Sequence, residues 1–564
     1  MAQESDRKFN WAVFGALLAV GAAAYGRLVW NGGLFGDDTN IYFAYQQTGM
    51  DGVREFLSWS RPFSTWPYAL SMPLLGGKLH AYHLLTFLLR IVCGWLMYSL
   101  VIRVFPKQGT AALYAAVLFL VYPGFSQQAH ALHYLLHFSI LALVLLSFIL
   151  MVRAFKGWGE IRAWMLYGFS ILLCLAHVSV EYFVGLELLR LLILHLVRVQ
   201  GRDDVRPYPR IMWFCLPYAG LLIAYAIWRV FIFRPAYPPL GLTTLFSDGV
   251  WNGLAGFAKR VLLDMVKAGA LAWGNAFDLG LLKSADIVEV ISALAAGVAL
   301  LLVLCNRKPN AGEDYRLRIN ITLLGLTALV AGGIPLWASQ LPLKLTFPWD
   351  RTSLCFITGA CLLMAGLLSL LPRRVSALLF ILLTISCVLF QSAAALDYEA
   401  DWAQVRSIIG QFTEDIPGFT TETLILYDDL PLTYYSANNL NAFFNHIYDQ
   451  DHDDGIDRVK VLQISERLGN LLPALEKGIV VTHGDFSGTT SSALVFGVNE
   501  PGCVVILGAE KEPEAELPGL SNDARHLSVP GEVVDNLAEH MLHEILSPEE
   551  GVEPVCRIQG GNDG

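Results

Sequence analysis

Between Trp11 and Ala395 the chain is a succession of long apolar runs separated by polar segments. A helix needs about 20 mostly apolar residues to cross the hydrocarbon core of a bilayer, and by that measure the chain has roughly eleven predicted spans. These spans lie near residues 11–30, 81–102, 110–123, 131–152, 163–180, 182–198, 211–233, 284–305, 319–338, 352–371 and 375–395. The pattern predicts a polytopic α-helical membrane protein.

The number of spans depends most on two places in the sequence. The run at 110–123 is short, and the runs at 163–180 and 182–198 are separated only by a turn around "HVSVE". The first run is interpreted as an uncleaved anchor, because its apolar length suits a span better than the core of a signal peptide.

The composition agrees with a membrane protein and excludes other classes. Only 16% of the residues are charged, whereas a soluble chain carries about 25%. The sequence has no basic cluster that indicates nucleic-acid binding, so nucleic acid is not an expected partner. It also contains no glycine-rich phosphate loop and no nucleophilic serine triad pattern.

The distribution of basic residues predicts the orientation. If the N-terminus is cytoplasmic, alternate loops should be rich in lysine and arginine. The loops that would be cytoplasmic are short and basic, at residues 7–8, 103–107, 153–162, 198–210, 307–318 and 373–374. An odd number of spans then places the C-terminal tail outside. We expect an integral protein of a bacterial inner membrane, surrounded by membrane lipids.

Two outer loops of the predicted membrane module, residues 1–395, are long: 31–80 and 234–283. In the second loop, apolar residues from Trp251 onward recur at helical spacing, while Arg260, Asp264 and Lys267 occupy another face. This pattern predicts a helix that lies in the membrane surface. A helix packed on an outer domain is the alternative.

The tail, residues 396–564, is predicted to form a soluble extracytoplasmic α/β domain. Short β-branched runs such as "TLILYDD", "KVLQIS" and "CVVILG" are bounded by turn residues, as strands are. Cys503 and Cys556 are the two cysteines of this tail, and an oxidising compartment would permit a disulfide between them.

Four short features follow one another in the N-terminal region: the pair Asp37 and Asp38 after the first span, then Arg61–Pro62, Tyr82–His83 and Tyr122–Pro123. Their order resembles the N-terminal region of the GT-C glycosyltransferases, particularly the branch of the protein O-mannosyltransferases and their tetratricopeptide-bearing relatives. The resemblance covers about residues 10–150. It implies a GT-C-like helical bundle with an outward-facing site.

The resemblance also implies a reaction and its partners. Members of the family transfer a sugar from a polyprenyl-phosphate donor to an acceptor on the outer face, which could be a glycan, a lipid or a protein. A carboxylate of the first outer loop serves as general base, and here Asp37 and Asp38 are both candidates. A neighbouring carboxylate raises the pKa of one of the pair, which suits a base at neutral pH.

Cationic and polar residues complete the predicted site. Arg61, Arg234 and Arg351 are candidates to bind the donor phosphate, since guanidinium groups pair well with phosphate. His83, His133 and Glu181 are candidate substrate contacts. Each has a structural alternative: arginine side chains that reach the interface, hydrogen bonding of histidines within the fold, or an ion pair of Glu181.

The sequence does not require a metal or another cofactor. His130, His133 and His137 share one helical face, but no cysteine or carboxylate accompanies them, so packed histidines or a polar stripe are preferred to a zinc site. A divalent cation, Mg or Mn, is compatible with the reaction. Glu187 and Arg190 have the spacing of a pair along one helix.

Two other classes of function are compatible with the sequence. A transporter or flippase for lipid-linked glycans would need a polar route, which Arg90, Glu181, Glu187 and Arg190 could line. A noncatalytic envelope-assembly protein would use the tail to bind a partner.

Overall fold

The structure is a computed structural model in which the chain divides into two compact units, each described by itself. It describes residues 2–157, 159–200, 208–233, 249–278, 286–306, 315–415, 423–427, 430, 432–448, 459–463, 481–483, 486–489, 492–496 and 503–507. The first unit contains Met1–Leu34 and Met50–Glu399, and the second contains Phe35–Gly49 and Ala400–Gly564.

The described part of the chain is mainly helical. The α-helices are α1 Ala2–Asn31, α2 Asp37–Thr48, α3 Met50–Ser58, α4 Trp66–Leu75, α5 Leu79–Val104, α6 Gly109–Leu120, α7 Ala131–Lys156, α8 Ile161–Cys174, α9 Leu189–Gln200, α10 Tyr208–Ile227, α11 Val250–Val266, α12 Ala272–Gly274, α13 Ile287–Cys305, α14 Tyr315–Ser339, α15 Ile357–Leu370, α16 Arg373–Asp415 and α17 Ala437–Tyr448. Short 3₁₀ helices occur at Gln127–Ala129, Leu175–Val178, Glu181–Leu188, Asn275–Phe277 and Trp349–Cys355, and π-helical turns at Trp228–Ile232 and Lys267–Leu271.

Within these described ranges, eight helices are long and apolar enough to cross a membrane. A ninth is present if Trp349–Cys355 and α15, which meet at a bend of 66°, count as one broken span. The polytopic helical class is therefore confirmed, whereas the predicted number of eleven is not.

The difference from eleven arises at the two predicted spans that the sequence defines least well. The run at 110–123 forms α6, whose 12 residues reach only about 18 Å. The run at 182–198 is divided between the 3₁₀ helix Glu181–Leu188 and α9. None of these three helices alone is long enough to cross the roughly 30 Å hydrocarbon core.

The connection from α6 to α7 is buried, and polar side chains satisfy its backbone. Gln391 Nε2 donates to Tyr122 O at 2.9 Å and to Phe125 O at 3.0 Å. Ser353 Oγ donates to Gly124 O, and Asn275 Nδ2 to Pro123 O at 3.3 Å. Non-helical backbone within a membrane is tolerated only where such partners or a water-filled cavity are available.

Glycines allow α14 and α15 to pack closely. A Cβ atom added at Gly359 would lie 2.2 Å from the backbone nitrogen of Leu329, and one added at Gly325 would lie 2.2 Å from that of Leu363. Small residues at such an interface bring helix backbones together, which is how helices associate in lipid without a hydrophobic driving force.

In the second unit, the acidic pair begins helix α2. Gly36 and Gly49, which flank α2, both have positive φ angles, a conformation that favours glycine. Asn439 Nδ2 of α17 donates to Gly36 O at 2.8 Å, and the ring of Phe43 stacks on His446 at 4.4 Å. The segment after the first span is thus a helix packed on α17, where the sequence suggested a loop.

Two small sheets are described in the tail. The strands are β1 Thr423–Tyr427, β2 Val459–Gln463, β3 Val481–His483, β4 Phe486–Thr489, β5 Ser492–Phe496 and β6 Cys503–Leu507. One sheet is parallel with the order β2-β1-β6, and the other is antiparallel with the order β3-β4-β5. Strands β1 and β6 fall within the predicted runs "TLILYDD" and "CVVILG", and β2 overlaps the predicted run "KVLQIS". Much of the predicted α/β domain, including Cys556, lies outside the described residues.

The close packing of α14 on α15 yields a stability prediction. Gly359→Ala should lower the free energy of unfolding by about 1–3 kcal/mol, because the new methyl group overlaps the backbone of α14. The matched control is Gly15→Ala in α1, where an added Cβ has no atom within 4 Å. Thermal unfolding of the purified protein in detergent measures both, and equal melting temperatures for the two variants would contradict the packing.

Candidate functional site

A serine in the first unit aligns the loop that carries Arg61 with the segment that carries Glu181. Ser64 Oγ donates to Ser179 O at 2.6 Å, and Trp66 Nε1 donates to Ser179 Oγ at 3.1 Å. Ser179 Oγ in turn donates to Phe63 O at 2.8 Å. These bonds join two segments that are more than a hundred positions apart in the sequence.

Arg61 and Glu181 form a partly exposed ion pair. Arg61 Nη2 lies 3.5 Å from Glu181 Oε1, and the side chains are 23% and 35% exposed. The guanidinium carbon of Arg61 lies 5.8 Å from the centre of the Tyr182 ring. Burial opposes ionisation of Glu181, but the positive charge of Arg61 outweighs it and holds the pKa of the carboxyl below its ordinary value.

Two more guanidinium groups, of Arg229 and Arg351, lie near Arg61, Glu181 and Tyr182. Arg229 Nη1 donates to Ser60 O at 3.3 Å, and its charge reaches Glu181. Arg351 is half-buried beside the Trp349 ring at 5.1 Å, and its charge reaches Tyr182. Within the described ranges neither of these two arginines forms a salt bridge. Arg234, the third predicted phosphate ligand, lies outside the described residues.

His133 lies next to this cluster through ring contacts. Its ring centre is 4.7 Å from that of His137, which is 4.9 Å from that of Tyr182. His137 Nδ1 lies 3.0 Å from His133 O. The histidine face of α7 therefore packs among aromatic rings, beside Tyr182 and Arg61.

His83 has a clear structural environment. The side chain is buried, and its Nε2 lies 2.9 Å from Gly33 O. A Cβ atom added at Gly32 would overlap the His83 ring. This contact matches the structural alternative for His83, and a substrate contact stays a prediction.

The two carboxylates of the acidic pair have different environments in the second unit. Asp37 is exposed, whereas Asp38 is 1% exposed. Both lie in the first turn of α2, where the helix dipole favours negative charge. Burial raises the pKa of Tyr435, and the charges of Asp401 and Asp38 raise it further, which places Asp38 close to this phenol.

Asp350 is a buried carboxylate whose structural role the sequence did not indicate. Its Oδ2 accepts hydrogen bonds from Ser126 N at 3.0 Å and from Ser126 Oγ at 2.6 Å. Gln127 Nε2 donates to its Oδ1 and also to Pro348 O. Asp350 thus anchors the residues before Arg351 to the buried connection between α6 and α7. Only its position next to Arg351 could have drawn attention to it.

A second buried polar cluster contains Cys174, His177 and Glu187, whose donor atoms lie within 4.8 Å of one another. Arg190 donates to both oxygens of Glu187, with Nη2 at 2.7 Å from Oε1, so the predicted pairing of these two residues is confirmed. His177 Nε2 also lies 2.9 Å from Oε1. A divalent ion here would stand beside a guanidinium, so we interpret the group as the Glu187–Arg190 ion pair with Cys174 and His177 packed against it.

Arg90, which the transporter alternative would place along a polar route, is enclosed by protein. It is fully buried, donates to Gln128 Oε1 at 2.8 Å and stacks against the ring of Tyr25 at 4.6 Å. Cation–π contacts of this kind offset part of the cost of a buried charge.

Comparisons with known proteins identify no family for this chain. No family model matches the chain, and no curated protein matches it. Among solved structures, the crystal structure of ArnT from Cupriavidus metallidurans in the apo state is similar at a TM-score of 0.33 and 17% identity, over 79% of this chain and 86% of that one. A likeness at this level carries no argument about this chain.

The buried pair in the second cluster yields another prediction. Arg190→Met should destabilise the protein by about 3–5 kcal/mol, because Glu187 is then left as an uncompensated buried charge. The double variant Glu187→Leu with Arg190→Met should recover much of that loss.

The matched control for this pair is Arg153→Gln, which alters an exposed arginine at the end of α7. Thermal unfolding in detergent is the measurement. If Arg190→Met were no less stable than Arg153→Gln, the ion-pair interpretation would fail.

Proposed function

We propose that this chain is an integral membrane glycosyltransferase of GT-C type. It transfers a sugar from a polyprenyl-phosphate donor to a glycan, lipid or protein acceptor on the outer face of a bacterial inner membrane. The observation that supports this most is the partly exposed cluster in which Arg61, Arg229 and Arg351 lie beside Glu181 and Tyr182. The ordered motifs of the N-terminal region support it independently.

The donor phosphate is the anion that this cluster suits. A polyprenyl chain is too apolar to leave the membrane, so a protein that uses it must bind its phosphate near the ends of membrane helices. Guanidinium groups bind phosphate oxygens through charge-assisted, often bidentate hydrogen bonds. In the absence of substrate, Glu181 orients the Arg61 guanidinium. His133, which is close to Tyr182 through His137, is a candidate substrate contact.

The acceptor hydroxyl requires a general base, for which Asp37 and Asp38 are the candidates. Asp37 is accessible to an acceptor that arrives from solvent. Asp38 is buried, so an acceptor would reach it only inside the protein. Asp37 and Asp38 therefore both stay candidates for the general base. A divalent cation, Mg or Mn, is compatible with either.

The arginine cluster yields a binding prediction. Arg61→Gln and Arg351→Gln, each in nanodiscs, should weaken binding of a polyprenyl phosphate by roughly 10- to 100-fold, the value of a hydrogen bond to a charged group. The matched control is Arg54→Gln in the same outer loop, since Arg54 is exposed and pairs only locally with Asp51. Binding is measured by native mass spectrometry, and equal affinity in all three variants would exclude this phosphate site.

The acidic pair yields a prediction about rate. Asp37→Asn or Asp38→Asn should lower transfer from radiolabelled polyprenyl-phosphate sugars by about 10²–10⁴-fold if the residue replaced is the base. The other substitution should have a smaller effect, at unchanged melting temperature. The assay is run with and without EDTA to test the divalent cation.

Each outcome of this assay decides between classes. Full transfer by both asparagine variants would remove the acidic pair from catalysis. Movement of labelled lipid across the membrane by wild-type protein, without transfer, would favour a transporter or flippase.

A further inference from the structure

One continuous helical path in the first unit runs from Val250 to Phe277. It consists of α11, the π-helical turn Lys267–Leu271, α12 and the 3₁₀ turn Asn275–Phe277. The sequence placed this segment in an outer loop and predicted a helix that lies in the membrane surface. The contacts of its charged residues show which side of the helix faces the protein.

Three of the four charged residues of α11 and the following turn contact protein: Arg260, Asp264 and Lys267. Arg260 donates to Gln340 Oε1 and to Leu341 O, and Lys267 Nζ donates to Leu343 O at 2.9 Å. Asp264 is 3% exposed and accepts a hydrogen bond from Trp337 Nε1 at 3.1 Å. Arg260 and Lys267 also lie 3.7 Å and 3.8 Å from Asp264. The charges are thus compensated within the protein.

The outward face of α11 is apolar apart from Asn252 and Lys259. The exposed fractions are 83% for Trp251, 63% for Leu262, 62% for Val250, 48% for Leu263, 46% for Leu254 and 43% for Val266. Lys259 is the charged residue on this face of α11. A helix on a water-covered surface has the reverse arrangement, with its polar side outward.

Gly269, in the π-helical turn of this path, lies at the depth of the middle of α14 and α15. A methyl group added at Gly269 would lie 3.0 Å from Leu329 Cδ2 and 3.5 Å from Leu363 Cδ2. Leu329 is ten residues (339 − 329) before Ser339, where α14 ends, which corresponds to about 15 Å along the helix. This is half of the roughly 30 Å hydrocarbon core, and Leu363 lies in the middle of α15.

We propose that Val250–Phe277 lies within the half of the bilayer nearer Ser339, with its outward face against lipid acyl chains. The segment packs on α14, which also exposes large apolar side chains: Leu323, Leu326 and Val330. Lys259 can extend its amine to the headgroups along its own aliphatic chain. The segment is thus an intramembrane helix whose charges bind the bundle, and its lipid-facing side is a surface for acyl chains.

Spin labels test this orientation directly. Leu254→Cys, Leu262→Cys and Val266→Cys are labelled with a nitroxide in nanodiscs, in a background where Cys305, Cys503 and Cys556 are serine. The control is Glu55→Cys on the exposed side of α3. Collisions with oxygen, which concentrates in lipid, are compared with collisions with a water-soluble nickel chelate.

We expect the three α11 labels to be accessible to oxygen and protected from nickel, and the Glu55→Cys label to show the reverse. Nickel accessibility equal to that of the control would place α11 in water and overturn the proposal. Protection from both reagents would show that protein covers the face, from a second copy or another part of the chain, and would also overturn it. Three positions are used so that one misfolded variant does not decide the result.

Discussion

The absence of water inside a bilayer is the constraint on which the first unit depends, because each buried charge and each non-helical backbone group must find a partner in the protein. In the connection between α6 and α7, Gln391 and Asp350 form hydrogen bonds with the backbone. The buried charge of Glu187 is compensated by Arg190. The same requirement explains why Arg260 and Asp264 of α11 face the bundle.

Against this background of paired charges, the cluster around Arg61 is different. Its side chains are partly exposed, and the guanidinium groups of Arg61, Arg229 and Arg351 lie beside Glu181 and Tyr182. Guanidinium groups that an anion can reach suit a phosphate. The Glu187–Arg190 pair, in contrast, is buried and serves the fold.

Sequence periodicity predicted some parts of this arrangement and could not predict others. The pairing of Glu187 with Arg190 followed from their spacing along one helix. The pairing of Arg61 with Glu181 joins residues 120 positions apart, and no local pattern contains it. The sequence does not distinguish the adjacent Asp37 and Asp38, but the fold buries Asp38 and leaves Asp37 exposed.

The sequence by itself determined the membrane class and the position of most spans, because the thickness of the hydrocarbon core dictates how long an apolar run must be. It also showed that α11 has an apolar and a charged face. Only the tertiary structure decided which of those faces meets protein, where α6 ends short of a full span, and which arginines gather around Glu181. Those features depend on contacts between distant segments, and hydrophobic periodicity carries information only about neighbours on the same helix.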